Sequence, residues 1–485
     1  MGKTRTPVSW ESPREASAEE VAVNHGLAKQ CFAAFVVSLT TFNCGLSTVW
    51  ISPTSVELTA GANIVGRFEE DEISIKILTS HYASVLSALL MGLTANSYGR
   101  KPALYLAAII NIIGGEILRN AEDSTSIWAG NACASCTIVS GLVVGPMLLS
   151  EIAHQRVRGA LITFCALQFN FGMLAAYSLY PFFSKNVFQI IYIIIPAAQL
   201  ILYIFIPESP YFLVSKSRTL EAEGSLFWSR GSNRPIAKGE LAILVRSSLT
   251  QHRSVLQVIK SRATRRGFLT STGLVFFQRT TGFLVFCCYS NMIVQNSGNI
   301  LNDRDTGIVF AGIQIAASLI SLTLVDLIGR KALLYISYGG NFVSLSVLTI
   351  YFLSLKTDVN LARVDWLPLV CMMCFTVSYN LGAGSLTTVM PNEVTPIRTK
   401  GIIASIDGIL NSILLLVVVG YNPVLERHLG IYVNFLIPSI ISAIALVFTW
   451  VIVPETRGKS LLDYSEEQDV KPRDAEPLKN EVTYL

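Results

Sequence analysis

Two cysteine pairs are the first residues whose types and spacing could do chemistry. Cys133-x-x-Cys136 and Cys371-x-x-Cys374 have the spacing of a zinc half-site or a redox dithiol. Each lies in an apolar run without a second ligand pair, as does Cys287-Cys288. Cysteine in such a run serves as a small apolar residue, so these pairs read as coincidence. The five histidines are scattered and compose no ligand set. No nucleophile–base pair, phosphate loop or metal cluster emerges. An enzyme is not expected, and no cofactor is implied.

The second group of ionisable residues is repeated. Asn96-Ser-Tyr-Gly99-Arg100-Lys101 returns as Asp326-Leu-Ile-Gly329-Arg330-Lys331. Glu151, followed by Arg158-Gly159, returns as Glu393, followed by Lys400-Gly401. Pro207-Glu208-Ser209 returns as Pro454-Glu455-Thr456. Three pairs in the same order imply two related halves. Their chemistry is electrostatic: Arg100 and Arg330 can bridge to Glu151, Glu393, Glu208 or Glu455. Ion pairs that form in one state and break in another make a gate. Anchoring of helix ends is the simpler role, but a symmetric set favours gating. The expected gate is Arg100, Glu151, Arg158, Glu208, Asp326, Arg330, Glu393, Lys400 and Glu455.

The elements that position these groups are apolar. The 485 residues are 51% hydrophobic and only 14% charged, against roughly 25% charged in soluble domains. Apolar runs of bilayer length recur near 28–50, 75–96, 102–118, 126–150, 160–180 and 187–206. Six more follow near 268–290, 304–325, 331–354, 366–391, 401–421 and 430–453. The expectation is an all-α membrane protein with twelve transmembrane helices in two pseudo-symmetric six-helix bundles. The parts would be an N-terminal segment (1–27), a first bundle (28–206), a loop (207–267), a second bundle (268–453) and a tail (454–485).

Basic residues orient the chain. Loop 207–267 holds eleven Lys/Arg against four Asp/Glu, whereas 51–74 holds Arg67 against Glu57, Glu69, Glu70, Asp71 and Glu72. Both termini and loop 207–267 are therefore expected in the cytoplasm. No Asn-x-Ser/Thr sequon occurs. Residues 1–27 are polar and do not read as a cleavable signal. Met1-Gly2-Lys3-Thr4-Arg5-Thr6 fits a myristoylation pattern, though an acyl chain would add little to so many spans. Loop 207–267 is too short for an independent core, and 255–266 reads as an amphipathic surface helix. The tail 463–485 is polar and disordered in expectation. No basic stripe suggests nucleic acid.

These motifs resemble the sugar porter family of the major facilitator superfamily, from about residue 28 to 461. The nearest flavour is that of the insect facilitated trehalose transporters and their relatives. The likeness is carried by Gly45-Leu-Ser-Thr-Val-Trp50-Ile-Ser52-Pro53, Gly99-Arg100-Lys101, Glu151 with Arg158-Gly159 and Pro207-Glu208-Ser209-Pro210. The second half adds Phe276-Phe277-Gln278, Asp326 with Gly329-Arg330-Lys331, Glu393-x-x-Pro396 and Pro454-Glu455-Thr456-Arg457-Gly458-Lys459. The resemblance implies the major facilitator fold, alternating access and a sugar as solute.

The positions that would read the solute depart from that pattern. The helix-seven motif Gln-Gln-Leu-Ser-Gly-Ile-Asn here reads Gln278-Arg279-Thr280-Thr281-Gly282-Phe283-Leu284. The helix-eight Asn corresponds to Gln314, and the helix-eleven Asn to Asn411 followed by Ser412. The Gly-Pro-Ile-Pro-Trp of helix ten becomes Gly384-Ser385-Leu386-Thr387-Thr388, losing both prolines and the ring. Thr137 stands for the helix-four Arg, Asn96 for the first gate Asp, and Gln168 lies near the helix-five Gln but out of register. By resemblance the solute residues are Gln278, Arg279, Gln314, Asn411, Thr388 and Gln168. Loss of the prolines should stiffen helix ten.

Arg279 is the sharpest departure, because an ionisable group inside a membrane faces a cavity or a partner. Asp407 is the one nearby carboxylate, and pairing with it is the expectation. A structural pair is the simpler reading; recognition of an anionic solute is the other. Helix one holds Asn43 and no carboxylate, so facilitation is favoured over proton coupling, with Asp407 as the residue that could reverse this. Three functions follow: facilitated transport of trehalose or a hexose, carriage of another or anionic small solute, and sugar sensing with weak transport. The expected partners are a small sugar and the lipid bilayer, with the chain acting as a monomer in the plasma membrane.

Overall fold

The computed structural model describes residues 13–49, 70–121, 124–154, 157–179, 182–183, 185–250, 262–283, 286, 303–357, 364, 366–395 and 397–456. The myristoylation pattern, residues 51–69, the 255–261 part of the amphipathic stretch and the tail lie outside these residues.

Among the described residues, twelve helical spans succeed one another. The first half holds Pro13–Val49, Glu70–Ser97, Arg100–Arg119, Thr125–Ile152, Arg158–Leu179 and Lys185–Leu202. The second half holds Arg262–Thr280, Asp303–Leu327, Arg330–Lys356, Leu367–Val394, Ile397–Leu429 and Val433–Val451. They are called spans one to twelve below. Ten have the length and apolarity to cross a membrane. The second opens on Glu70, Asp71 and Glu72, and the seventh carries Arg265, Arg266 and Arg279. A bilayer offers no water to unpaired backbone groups, so the spans are helical except where the protein itself meets the freed groups. Large apolar side chains such as Leu86, Leu93, Ile194, Ile201, Val343, Ile350, Val447 and Trp450 point outward, a surface suited to lipid.

Two spans begin earlier than their apolar runs. The first helix starts at Pro13, where a proline costs no hydrogen bond. The seventh starts at Arg262, so residues 262–266 are its first turn rather than the end of a separate surface helix.

The first half is closed by small residues. Gly45 faces the Phe169 carbonyl and Gly172 faces the Phe42 carbonyl, so spans one and five touch backbone to backbone at two levels. No side chain larger than hydrogen fits at either point, as is usual where membrane helices pack closely. The halves meet along two seams, span two against span eleven and span five against span eight.

The segment between the halves is more ordered than its length predicts. Helices Pro210–Ser215, Thr219–Ser229 and Arg234–Thr250 bury Leu226, Ala237 and Leu244 against one another. They dock on the first half. Gln30 donates to the Ser229 carbonyl (2.8 Å) and accepts from the His154 amide (2.8 Å), and Arg230 donates to the Ile152 carbonyl (2.9 Å). The stretch supplies a small apolar cluster and leans on the first half, beside the expectation that it is too short for an independent core.

Candidate functional site: a charged end and a central cavity

One end of the bundle carries the repeated motifs. Gly99 adopts φ 122° and Gly329 φ 101°, a region closed to most side chains, so the chain turns sharply between spans two and three and between eight and nine. Neither glycine can cap the helix that follows. A distant carboxylate does it instead. Glu208 accepts from the backbone amides of Arg100 (3.2 Å), Lys101 (3.0 Å) and Ser209 (2.7 Å). Glu455 accepts from those of Arg330 (3.1 Å), Lys331 (3.0 Å) and Thr456 (3.0 Å). A carboxylate satisfies orphan amides and the positive helix end together. Burial raises the Glu208 carboxyl pKa, against the pull of the Ser209 and Lys101 amides and the Arg100 charge.

The open choice of partners for the arginines is thereby resolved. Arg100 pairs with Glu151 (Nη2–Oε1 3.1 Å, Nε–Oε2 3.0 Å) and Arg330 with Glu393 (Nη2–Oε1 3.3 Å). Each arginine also reaches back to a carbonyl of the preceding span, Ala95 (3.3 Å) and Val325 (3.1 Å). All four side chains are buried, so each charge needs its partner. Glu208 and Glu455 serve as caps. The side chain of Asp326 lies outside the described residues.

Among the described residues, Arg158 and Lys400 reach across between the halves at this end. Arg158 of span five approaches Glu393 of span ten (3.7 Å), and Lys400 of span eleven donates to the Ser150 hydroxyl of span four (2.6 Å).

Above Lys400 lies a cavity between the halves, enclosing about 990 Å³ of space, part of it open to solvent. Four of the predicted solute residues line it: Gln278, Arg279, Thr388 and Asn411. Gln168 and Gln314 do not belong to its wall; both are buried elsewhere, and the Gln314 carbonyl oxygen has no hydrogen-bond partner among the described residues. Polar wall residues missed by motif comparison include Asn170, Tyr379, Asn380 and Asn392. Asn170 of span five donates to Ser318 (2.7 Å) and Asn380 (3.1 Å), so it ties the two halves inside the cavity wall. Aromatic surface comes from Phe283 stacked on Tyr379 (centroids 4.5 Å apart, 7° between planes), not from the lost tryptophan.

Span ten is broken, not stiffened. Leu367–Leu381 stops at Gly382, and Ala383–Val394 starts anew. A Cβ at Gly382 would lie 2.6 Å from the Leu333 carbonyl oxygen. The freed backbone groups are met by serines: Ser337 accepts from the Ala383 amide (2.9 Å) and Ser321 donates to the Leu381 carbonyl (2.9 Å). A close neighbour and two hydroxyls thus replace the prolines as the cause of the break. Span four is irregular too, with a π-helical turn over Ser140–Val144 just ahead of Pro146, whose missing amide disrupts the helix there.

The expected Arg279–Asp407 pair does not form. Arg279 Nε donates to the Asn411 carbonyl oxygen. Asp407, one turn nearer the charged end on span eleven, accepts from the hydroxyls of Ser271 and Thr272 (2.8 Å for Thr272). Two hydroxyls from span seven satisfy the carboxylate locally, which leaves the guanidinium to the cavity.

Comparison with known proteins agrees with this arrangement. The family described as sugar (and other) transporter matches residues 31–467. The chain is 28% identical to a facilitated trehalose transporter Tret1 of Bombyx mori over 436 residues, 89% of this chain and 85% of that protein. It is 25% identical to a Tret1 of Apis mellifera ligustica over 456 residues, 93% and 89% of the two chains. Among solved structures it resembles the proton:xylose symporter XylE bound to 6-bromo-6-deoxy-D-glucose. The TM-score is 0.78 at 18% identity, covering 91% of this chain and all of that one, a likeness of fold. The chain belongs to the sugar (and other) transporter family.

Proposed function

We propose that this member of the sugar (and other) transporter family carries a sugar, trehalose or a hexose in the first instance, across the plasma membrane by facilitated alternating access. The observation that carries the reading is the central cavity between two six-helix halves, closed at the charged end by Arg158–Glu393 and Lys400–Ser150. A carrier needs a mid-membrane site and a closure that can be undone. Both are consistent with two bundles, 28–206 and 268–453, that rock about the site. The names of the insect relatives support trehalose as cargo and facilitation as mode.

The wall suits a hydroxylated solute. Gln278, Asn411, Asn392 and Thr388 offer donors and acceptors, and the Phe283–Tyr379 stack offers a flat apolar face for C–H groups. The basic loop 207–267 supports a cytoplasmic position for the charged end and both termini. Span one presents Asn43 where a titratable group would be needed for a relay, which supports facilitation. Arg100, Glu151, Arg158, Glu208, Asp326, Arg330, Glu393, Lys400 and Glu455 form the gate in this reading.

The test is uptake by purified protein in liposomes, with trehalose, glucose, fructose and sugar acids as labelled solutes. Uptake of at least one, unaltered by a protonophore, is expected. Silence on the whole panel with correctly assembled protein would overturn the reading; protonophore-sensitive uptake would overturn facilitation alone.

A further inference from the structure

The cavity holds a cation that the protein itself does not neutralise. Among the described residues Arg279 makes one side-chain bond, from Nε to Asn411, and has no carboxylate within ion-pair distance. Its two terminal amino groups, the pair that can grip a planar anion, have no hydrogen-bond partner among the described residues, and Arg279 lines the cavity. The nearest candidate counter-charge, Asp407, is held by Ser271 and Thr272. Ser271 lies eight residues before Arg279 on the same helix, about 12 Å along its axis. The other cation of the cavity, Lys400, is tied to Ser150 at the closed end.

A lone buried guanidinium is costly unless something pairs with it. Arg100 and Arg330, more deeply buried than the half-buried Arg279, each have a carboxylate of their own half. Beside Arg279 the Asn411 side chain adds a second open position. Its oxygen accepts from Arg279, while its buried amide nitrogen has no partner. The guanidinium fork and the Asn411 amide thus offer donors at the cavity that no acceptor among the described residues takes up.

We infer that this donor set receives a carboxylate of the solute, so that the preferred cargo is a monoanionic sugar acid, a uronate or aldonate. The inference rests on the sugar-carrier reading and, within it, sets a sugar acid ahead of trehalose and the hexoses. The carboxylate takes the two terminal guanidinium nitrogens in a fork, a geometry that arginine provides and lysine does not. The hydroxyls meet Gln278, Asn392 and Thr388, and the carbon face lies on the Phe283–Tyr379 stack. Carriage of one negative charge without a compensating ion makes the transport electrogenic.

The full chain in liposomes tests this with labelled D-glucuronate and D-gluconate against D-glucose and trehalose. The wild type is expected to favour the acids, with uptake accelerated by an inside-positive potential. Arg279→Gln is expected to lower the acid-to-neutral ratio about tenfold or more, with Arg279→Lys between the two. Should Arg279→Gln not fold, Asn411→Asp serves instead. It gives the guanidinium an internal carboxylate and is expected to lower the same ratio. Thermal stabilisation of the detergent-solubilised wild type by glucuronate, absent in the variant, is the second readout. Uptake of neutral sugars without transport of, or competition by, the acids would overturn the inference and leave the sugar carrier standing. An unchanged ratio in the variants would overturn it as well. Uptake of no solute at all would overturn both.

Discussion

Arg158 of the first half lies 3.7 Å from Glu393 of the second, on the same carboxylate oxygen that Arg330 reaches at 3.3 Å. The other Glu393 oxygen accepts from Thr456 (2.5 Å). Glu393 therefore keeps two partners from its own half when Arg158 withdraws. The pseudo-symmetric contact is weaker still: Glu151 is taken up by Arg100, and Lys400 settles on Ser150. Such a closure can open without stranding a buried carboxylate. Arg158→Ala is expected to shift the balance toward the state open at the charged end by about 1–2 kcal/mol, a factor of roughly 5–30. A single cysteine at Asn392, on the cavity wall, reports this through its labelling rate from that end. An unchanged rate would show that the pair does not hold the halves together.

The caps can be tested in the same symmetric way. Removing Glu208 deprives three backbone amides of their acceptor, and removing Glu455 deprives the equivalent three. Glu208→Ala and Glu455→Ala are each expected to cost about 1–3 kcal/mol. Glu208→Gln, which retains one oxygen, should cost less. Thermal unfolding in detergent orders the variants; a Gln variant as damaged as Ala would show that charge, not the acceptor oxygens, is what matters at this turn.

The charged end was more legible than the cavity, for a physical reason. Its residues sit at helix ends, where glycine, arginine and glutamate are close in sequence and recur in both halves. Their meaning survives without knowledge of helix rotation. A cavity residue depends on which way its helix turns. Gln168 and Asn170 are two residues apart on span five, and only Asn170 reaches the wall. The break in span ten was missed because proline is its familiar sign. The usable signal is Asn380, Gly382 and Gly384, weak helix formers at every second residue. The Arg279–Asp407 pairing failed on a competitor: the polar Ser271 and Thr272 of span seven reach the carboxylate first.

The break itself makes a prediction. Gly382→Ala places a methyl group 2.6 Å from the backbone oxygen of Leu333, which cannot move aside as a side chain could. Transport is expected to fall at least about tenfold, with a lowered unfolding temperature. Gly339→Ala, on the neighbouring span nine, meets nothing within 4 Å and is the control. It should be neutral or slightly stabilising, by up to about 1 kcal/mol, because alanine favours helix. Equal behaviour of the two variants would reject the close packing at Gly382.

The partners of Arg279 can be read from two double-mutant cycles. Arg279 and Asn411 share a hydrogen bond, so removing either side chain removes the same interaction, and the two losses should not add. A coupling of about 0.5–3 kcal/mol is the ordinary range for residues in contact. Arg279 and Asp407 share no partner: one bonds Asn411, the other Ser271 and Thr272. Their opposite charges still attract through the protein, which leaves a residual term of about 1 kcal/mol or less once separation and solvent in the cavity are allowed for. The cycle of Arg279→Gln with Asn411→Ala is therefore expected to show the larger coupling, read from unfolding free energies without solute. The cycle of Arg279→Gln with Asp407→Asn should be close to additive. A reversed order would mean that the guanidinium is neutralised by Asp407 after all. The cavity would then lose its unpaired cation, and with it the reason to admit a carboxylate.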